Sequence, residues 1–152
     1  MIGPHLQLFK SLNDHGVEYL LIGGVAAIAY GVPRGTKDID IFIEASKKNA
    51  AKCLMALKAI GFGTAALTTP QKLCRTEVTI MKDVVRLDVL TRVKGITFEE
   101  AYRNRAFFEV DETHIPALSR ADLVRTKKAA GRKGDLEDVE ILESVQIHST
   151  KK

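Results

Sequence analysis

Cysteine is scarce in this 152-residue sequence: Cys53 and Cys74 stand alone and form no metal-ligand spacing, which excludes a cysteine-built metal site or disulfide framework. With no export signal in view, both read as reduced thiols in a cytosolic protein. The four histidines, His5, His15, His114 and His148, are scattered. None has a ligand partner at helical or strand spacing, so each reads as a surface or packing residue. Long apolar runs are missing too. The longest, Tyr19–Ile22 continued after two glycines by Val25–Tyr30, is too short and too broken to span a bilayer. Met1-Ile2-Gly3-Pro4-His5 carries no basic region before an apolar stretch, so no signal peptide is expected. There is no internal repeat, low-complexity run or linker. Nor is there a large excess of one charge: 23 Lys+Arg against 19 Asp+Glu leave +4, a mild preference for anionic partners that does not establish nucleic-acid binding.

What remains is ordinary globular composition, 45% apolar and 28% charged. The length predicts one domain over 1–152, with a core at about 5–118 and a helical part at about 119–147. Leu6, Phe9 and Leu12 predict a helix over 5–14, stopped by Gly16. Glu18–Ile22 reads as a strand, Val25–Tyr30 as a small Ala-rich helix ending at Gly31, and Asp38–Glu44 as a strand. Ser46 caps a helix running to about Ile60, with Ala51, Leu54 and Leu57 or Lys58 on one face. Residues 61–71 read as a loop. Arg75–Met81 and Val84–Leu90 then form a hairpin joined at Lys82-Asp83. Thr97–Asn104 reads as a helix with Phe98, Ala101 and Tyr102 inward. Phe107–Val110 and His114–Pro116 are extended, with Phe107-Phe108 offering either a base-stacking pair or core. Helices follow over Leu118–Ala130 and Asp135–Ile147.

Side chains alternate between the two faces of a strand. In Asp38–Glu44, Ile39, Ile41 and Ile43 therefore share one face, while Asp38 and Asp40 share the other, their α-carbons roughly 6.5–7 Å apart. The later strand repeats the pattern, with Val85, Leu87 and Val89 on one side and Arg86 and Asp88 on the other. If the two strands are neighbours, three carboxylates converge. Like charges that close favour either a raised pKa or a bound cation, and hard divalent ions take such oxygen ligands. Asp38-x-Asp40 alone is equally a solvated acidic strand face.

Gly23-Gly24 lies between a strand and a helix, where glycine allows close backbone approach and the free N–H groups of a helix start face outward. Fourteen residues after Gly24 comes Asp38, and between them lie Arg34 and Thr36. Arg34 is either a bidentate phosphate clamp or an exposed loop arginine. In order, Gly-Gly-x-Ala, a short helix, Gly-x-x-Arg-x-Thr, Asp-x-Asp and a later third Asp resemble the signature of the DNA polymerase β-like nucleotidyltransferase superfamily. The closer likeness is to its small branch that includes the AbiEii-type toxins, and it covers about residues 5–147.

The resemblance implies an α+β fold: a mixed sheet flanked by helices on one face. It also implies transfer of a nucleoside monophosphate from a nucleoside triphosphate to a hydroxyl of RNA (a tRNA among them) or of protein, with release of pyrophosphate. Magnesium, as two ions, would be the cofactor. Asp38, Asp40 and Asp88 would hold the metal, and Asp88 would also help activate the acceptor. Gly23 and Gly24 would hold the triphosphate, with Arg34 and Thr36 beside them in the nucleotide-binding set. A toxin–antitoxin partner encoded nearby is a further implication, with partner binding in place of turnover as the alternative.

Residues 120–133 set six cations against Asp122 alone, a local +5. The relatives' segment Lys-x-x-Ala-Gly-Arg-x-Lys-Asp-x-x-Asp is matched at Lys127, Ala130, Gly131, Arg132, Asp135 and Asp138. Position 134 departs: it is Gly, with Lys133 beside it. Lys127 is the first candidate for a triphosphate contact and Arg132 the second, against the plainer reading of a solvated cationic helix end. Asp135 reads as the N-cap of the last helix.

Overall fold

Helical and strand periods alternate along the chain. The computed structural model describes residues 5–83 and 85–150, with side chains to residue 144. Val84, read above as the start of a strand, the Met1–Pro4 segment and the His148 side chain lie outside what is described. Helix α1 (Leu6–Asp14) buries Leu8, Phe9 and Leu12, and the N–H groups of His15 and Gly16 close its last turn on Ser11 and Asn13 carbonyls. There follow β1 (Tyr19–Ile22), α2 (Gly23–Ala29), β2 (Asp38–Ile43), α3 (Lys47–Ala59), α4 (Pro70–Arg75), β3 (Val78–Lys82), β4 (Arg86–Leu90), α5 (Phe98–Arg103), β5 (Ala106–Val110), β6 (Thr113–Ala117), α6 (Arg120–Ala130) and α7 (Lys133–Thr150).

The six strands form one mixed sheet in the order β3-β4-β2-β1-β6-β5. Strands β2 and β4 pair in parallel, as do β1 and β6, and the other three pairings are antiparallel. This is the expected α+β architecture. Ile39, Ile41, Ile43, Leu87 and Val89 are all buried. They share one core with Leu8, Phe9 and Leu12 of α1 and with Ala50, Cys53, Leu54 and Leu57 of α3. The buried face of α3 thus runs through Ala50 and Cys53 rather than Ala51, and burial pushes the Cys53 thiol up to about 12. Beyond Asp40 the acidic face is also covered: Phe42, two residues on, meets Phe98 of α5 edge-on at 5.1 Å.

Ser46 caps α3 as expected, its hydroxyl accepting from the Asn49 N–H at 3.1 Å. Asn49 itself is buried. Its side chain accepts from the Glu18 N–H and donates to the Glu18 and Glu44 carbonyls, joining the ends of β1 and β2 to α3. The stretch 61–71 is not a plain loop. It holds a 3-10 turn, Gly63–Leu67, and the start of α4, where Thr69 caps on the Lys72 N–H and Pro70 occupies the first turn. The fixed φ of proline suits that position. Arg75 accordingly ends a helix, and the hairpin strand starts later, at Val78. Phe107 is exposed, whereas Phe108 packs edge-on against Tyr30 at 4.9 Å.

Candidate active site

The parallel pairing of β2 with β4 sets Asp40 directly beside Asp88 and Asp38 directly beside Arg86. Alternation along each strand keeps all four on one face, so the convergence conditional on neighbouring strands is realised. Arg86 grips Asp88 with two nitrogens, at 3.0 and 3.2 Å, and its Nε lies 3.8 Å from Asp38. Asp40 receives no such grip. Burial, reinforced by the charges of Asp88 and Asp38, pushes its carboxyl up to about 6 against the weaker opposing pull of Arg86. Three carboxylates share one guanidinium, a local charge of −2 when all are ionised.

Gly23 makes this approach possible. Its φ is +71°, and a Cβ built there would stand 2.2 Å from Asp40 Oδ2. The backbone at the end of β1 therefore lies against the carboxylate itself. Gly24 does a different job: a Cβ there would meet the Arg34 Nη2 at 3.2 Å and Thr36 at 3.3 Å. The Thr36 hydroxyl accepts from the Asp38 N–H at 3.4 Å, fixing the entry to β2.

Opposite the carboxylates stand α6 and α7. Ser119 caps α6 on the Asp122 N–H, and Leu118, Leu123 and Val124 anchor it inward. Lys127 is 5% exposed and sits between two buried carboxylates, with its Nζ 2.9 Å from Asp138 and 3.7 Å from Asp135. Arg34 reaches Asp138 at 2.9 Å, and Arg132 reaches Asp135 at 2.6 Å. The result is an alternating series, Arg34–Asp138–Lys127–Asp135–Arg132, with one cation in excess. It ties the loop before β2 to both C-terminal helices. Its low exposure at Lys127 and the two aspartates makes it firmer than a surface ion pair.

A cleft of about 730 Å³ lies between the two charge systems. Gly23, Asp38, Asp40, Arg86 and Asp88 line one side, and Thr126, Lys127, Arg132 and Asp135 the other. Of the residues singled out from sequence, Asp38, Asp40, Asp88, Gly23, Lys127 and Arg132 are brought together. Gly24, Arg34 and Thr36 are not part of this lining: Gly24 packs against Arg34 and Thr36, and Arg34 pairs with Asp138. Lys133 and Gly134 are exposed at the start of α7 and do not line the cleft, and α7 begins at Lys133, so Asp135 lies inside its first turn rather than capping it. The sequence reading did not weigh Arg92 and Lys94, which extend the lining past β4. It also placed Arg86 without a role. The Arg-x-Asp alternation was the available signal for Arg86.

The donor chemistry suits a hard divalent ion: carboxylate oxygens on a partly open face, with Asp40 short of compensating charge. As the side chains stand, no three His, Cys, Asp or Glu groups enclose a single point among the described residues. Both oxygens of Asp88 are occupied by Arg86. No helix among the described residues is long and apolar enough to cross a membrane.

A family model described as a nucleotidyl transferase of unknown function (DUF2204) matches residues 5–152. The fold resembles that of a candidate nucleotidyltransferase from Thermotoga maritima, at 15% identity and a TM-score of 0.56, over 99% of this chain and 93% of that one. It also resembles an antigenic nucleotidyltransferase-like protein from Paracoccidioides brasiliensis, at 15% identity and a TM-score of 0.55, over 89% of this chain and 71% of that one. At such identity the likeness speaks for the fold alone. A search of curated proteins finds no match.

Proposed function

The chain belongs to this nucleotidyl transferase family, and we propose that it moves a nucleoside monophosphate from a nucleoside triphosphate to a hydroxyl of RNA or protein. The observation that carries the reading is the register of Asp40 on Asp88 inside a cleft whose far wall is cationic. In the reaction the acceptor oxygen attacks the α-phosphorus, the bond to the pyrophosphate oxygen breaks, and the hydroxyl proton passes to a carboxylate. Asp38, Asp40 and Asp88 would hold magnesium. Bound there, the ion supplies charge neutralisation and polarisation of the phosphate oxygens. Asp88 faces the acceptor and takes up its proton. Lys127 and Arg132 present positive charge to the triphosphate from the opposite wall. Gly23 lets the backbone pass against Asp40 at the edge of the site.

The test is transfer of label from each α-labelled nucleoside triphosphate to RNA and to protein, with magnesium present, for the wild type and Asp40→Asn. Label transfer lost in the variant is the expected result. Failure of the wild type to bind any triphosphate in the presence of magnesium would sink the reading. The AbiEii-type resemblance supports a toxin–antitoxin setting for the same activity. Growth arrest on expression, abolished by Asp40→Asn, is the corresponding outcome, and arrest that persists in the variant would favour action by partner binding.

A further inference from the structure

Arg86 lies where positive charge is most needed in the acidic cluster. The β2–β4 register makes a square of Asp38, Asp40, Asp88 and Arg86 on one sheet face. The strands fix the α-carbons, but the guanidinium sits at the end of a flexible side chain that is 37% exposed and borders the cleft. Its two bonds take one lone pair from each Asp88 oxygen. An oxygen already accepting a charge-assisted hydrogen bond is a poorer metal donor, and the guanidinium's own charge repels a cation brought into the same square. A nucleoside triphosphate entering the cleft offers that planar fork another partner, because phosphate oxygens match guanidinium geometry as well as a carboxylate does.

We propose that Arg86 is a displaceable counter-cation: it holds Asp88 while the cleft is free of metal, and it exchanges that carboxylate for substrate phosphate when metal and triphosphate enter together. The exchange couples the two bindings. Metal alone must compete with Arg86, whereas metal arriving with phosphate gives Arg86 somewhere else to go. This inference rests on the nucleotidyltransferase reading and adds to it a residue and an order of binding. Asp40, which Arg86 does not grip, is the carboxylate open to metal first.

Manganese binding, followed by the loss of the free-ion paramagnetic resonance signal, tests this without turnover. The wild type, Arg86→Gln and Arg86→Lys are compared with and without a non-hydrolysable triphosphate analogue. Thermal melts establish that each variant is folded, and Arg86→Lys keeps the charge should the Gln variant not fold. Without the analogue, Arg86→Gln should bind manganese about tenfold more tightly than the wild type, as expected when one positive charge is removed within a few ångströms of a divalent ion. Arg86→Lys should fall between them. With the analogue present, the wild type should gain more manganese affinity than Arg86→Gln does. Equal or weaker manganese binding by Arg86→Gln overturns the proposal and makes Arg86 a permanent prop for Asp88. Absence of manganese binding in all three proteins, with and without the analogue, overturns the nucleotidyltransferase reading and this inference with it.

Discussion

Replacing Asp40 by Asn should stabilise the metal-free protein, and by an amount that grows with pH. In the folded state the Asp40 carboxyl is pushed from 3.8 to about 6 by burial and by Asp88 and Asp38. The unfolded chain ionises near the ordinary value. Below that value both states hold the proton and Asp40 contributes no pH dependence. Between the two values the unfolded state releases its proton first, so stability falls as pH rises, by about 1.4 kcal/mol for each pH unit. Above about 6 the loss is complete, at up to about 3 kcal/mol. Asparagine has the shape of the protonated carboxyl and no charge to lose. The stability advantage of Asp40→Asn should therefore widen by about 2 kcal/mol between pH 4.5 and pH 7.5. Urea denaturation of both proteins in a chelating buffer measures it, because the difference between the two curves cancels the titrating groups that do not interact with Asp40. A difference that stays flat with pH, or an Asn variant less stable at pH 7.5, would refute the crowding of carboxylates inferred here. A divalent ion in excess should flatten the wild-type curve, since a cation favours the ionised form.

Other perturbations probe the elements that hold the site. Gly23→Ala should cost about 1–2 kcal/mol from its positive φ alone, and it must also turn the Asp40 carboxylate away. Wild-type stability in urea would count against that close approach. Lys127→Ala leaves Asp135 and Asp138 facing each other while each keeps one arginine, so a loss of about 3 kcal/mol is expected, at the low end for a broken buried pair. Adding Asp138→Asn should return part of it in a double-mutant comparison of melting temperatures. Asn49→Ala strands the backbone groups that join β1, β2 and α3, for a loss of about 2–3 kcal/mol by chemical denaturation. An unchanged midpoint would show that water replaces those bonds at no cost.

The acidic half of the site was legible because strand alternation is a local rule. Once Ile39, Ile41 and Ile43 are buried, Asp38 and Asp40 have only the opposite face left, and the same rule places Asp88. That β2 and β4 pair in register is a long-range fact, which the resemblance supplied and the periodicity did not. The cationic half was legible in composition but not in its connections. Lys127 looks like a solvated helix end until α7 folds back and sets Asp135 and Asp138 against it. Arg34 finds its partner 104 residues away. Thr69-Pro70 carried a helix-start signal that the surrounding Gly, Ala and Thr residues obscured. Asn49 looked like any polar residue in the first turn of α3, since its three partners belong to the ends of other elements.

The placement of the cleft's two walls has a consequence in time. The acidic wall comes from residues 23–88, whereas the cationic wall comes from residues 126–135 on the two C-terminal helices. The acidic wall is synthesised first, but a domain folds as a unit, and the core that carries the carboxylates also takes in Leu118, Leu123 and Leu142, so the cleft forms only once α6 and α7 have emerged. The docking of Lys127 between Asp135 and Asp138 then gives the cleft its cationic side. The carboxylates and the cations that face them therefore come into place together, in one folding event.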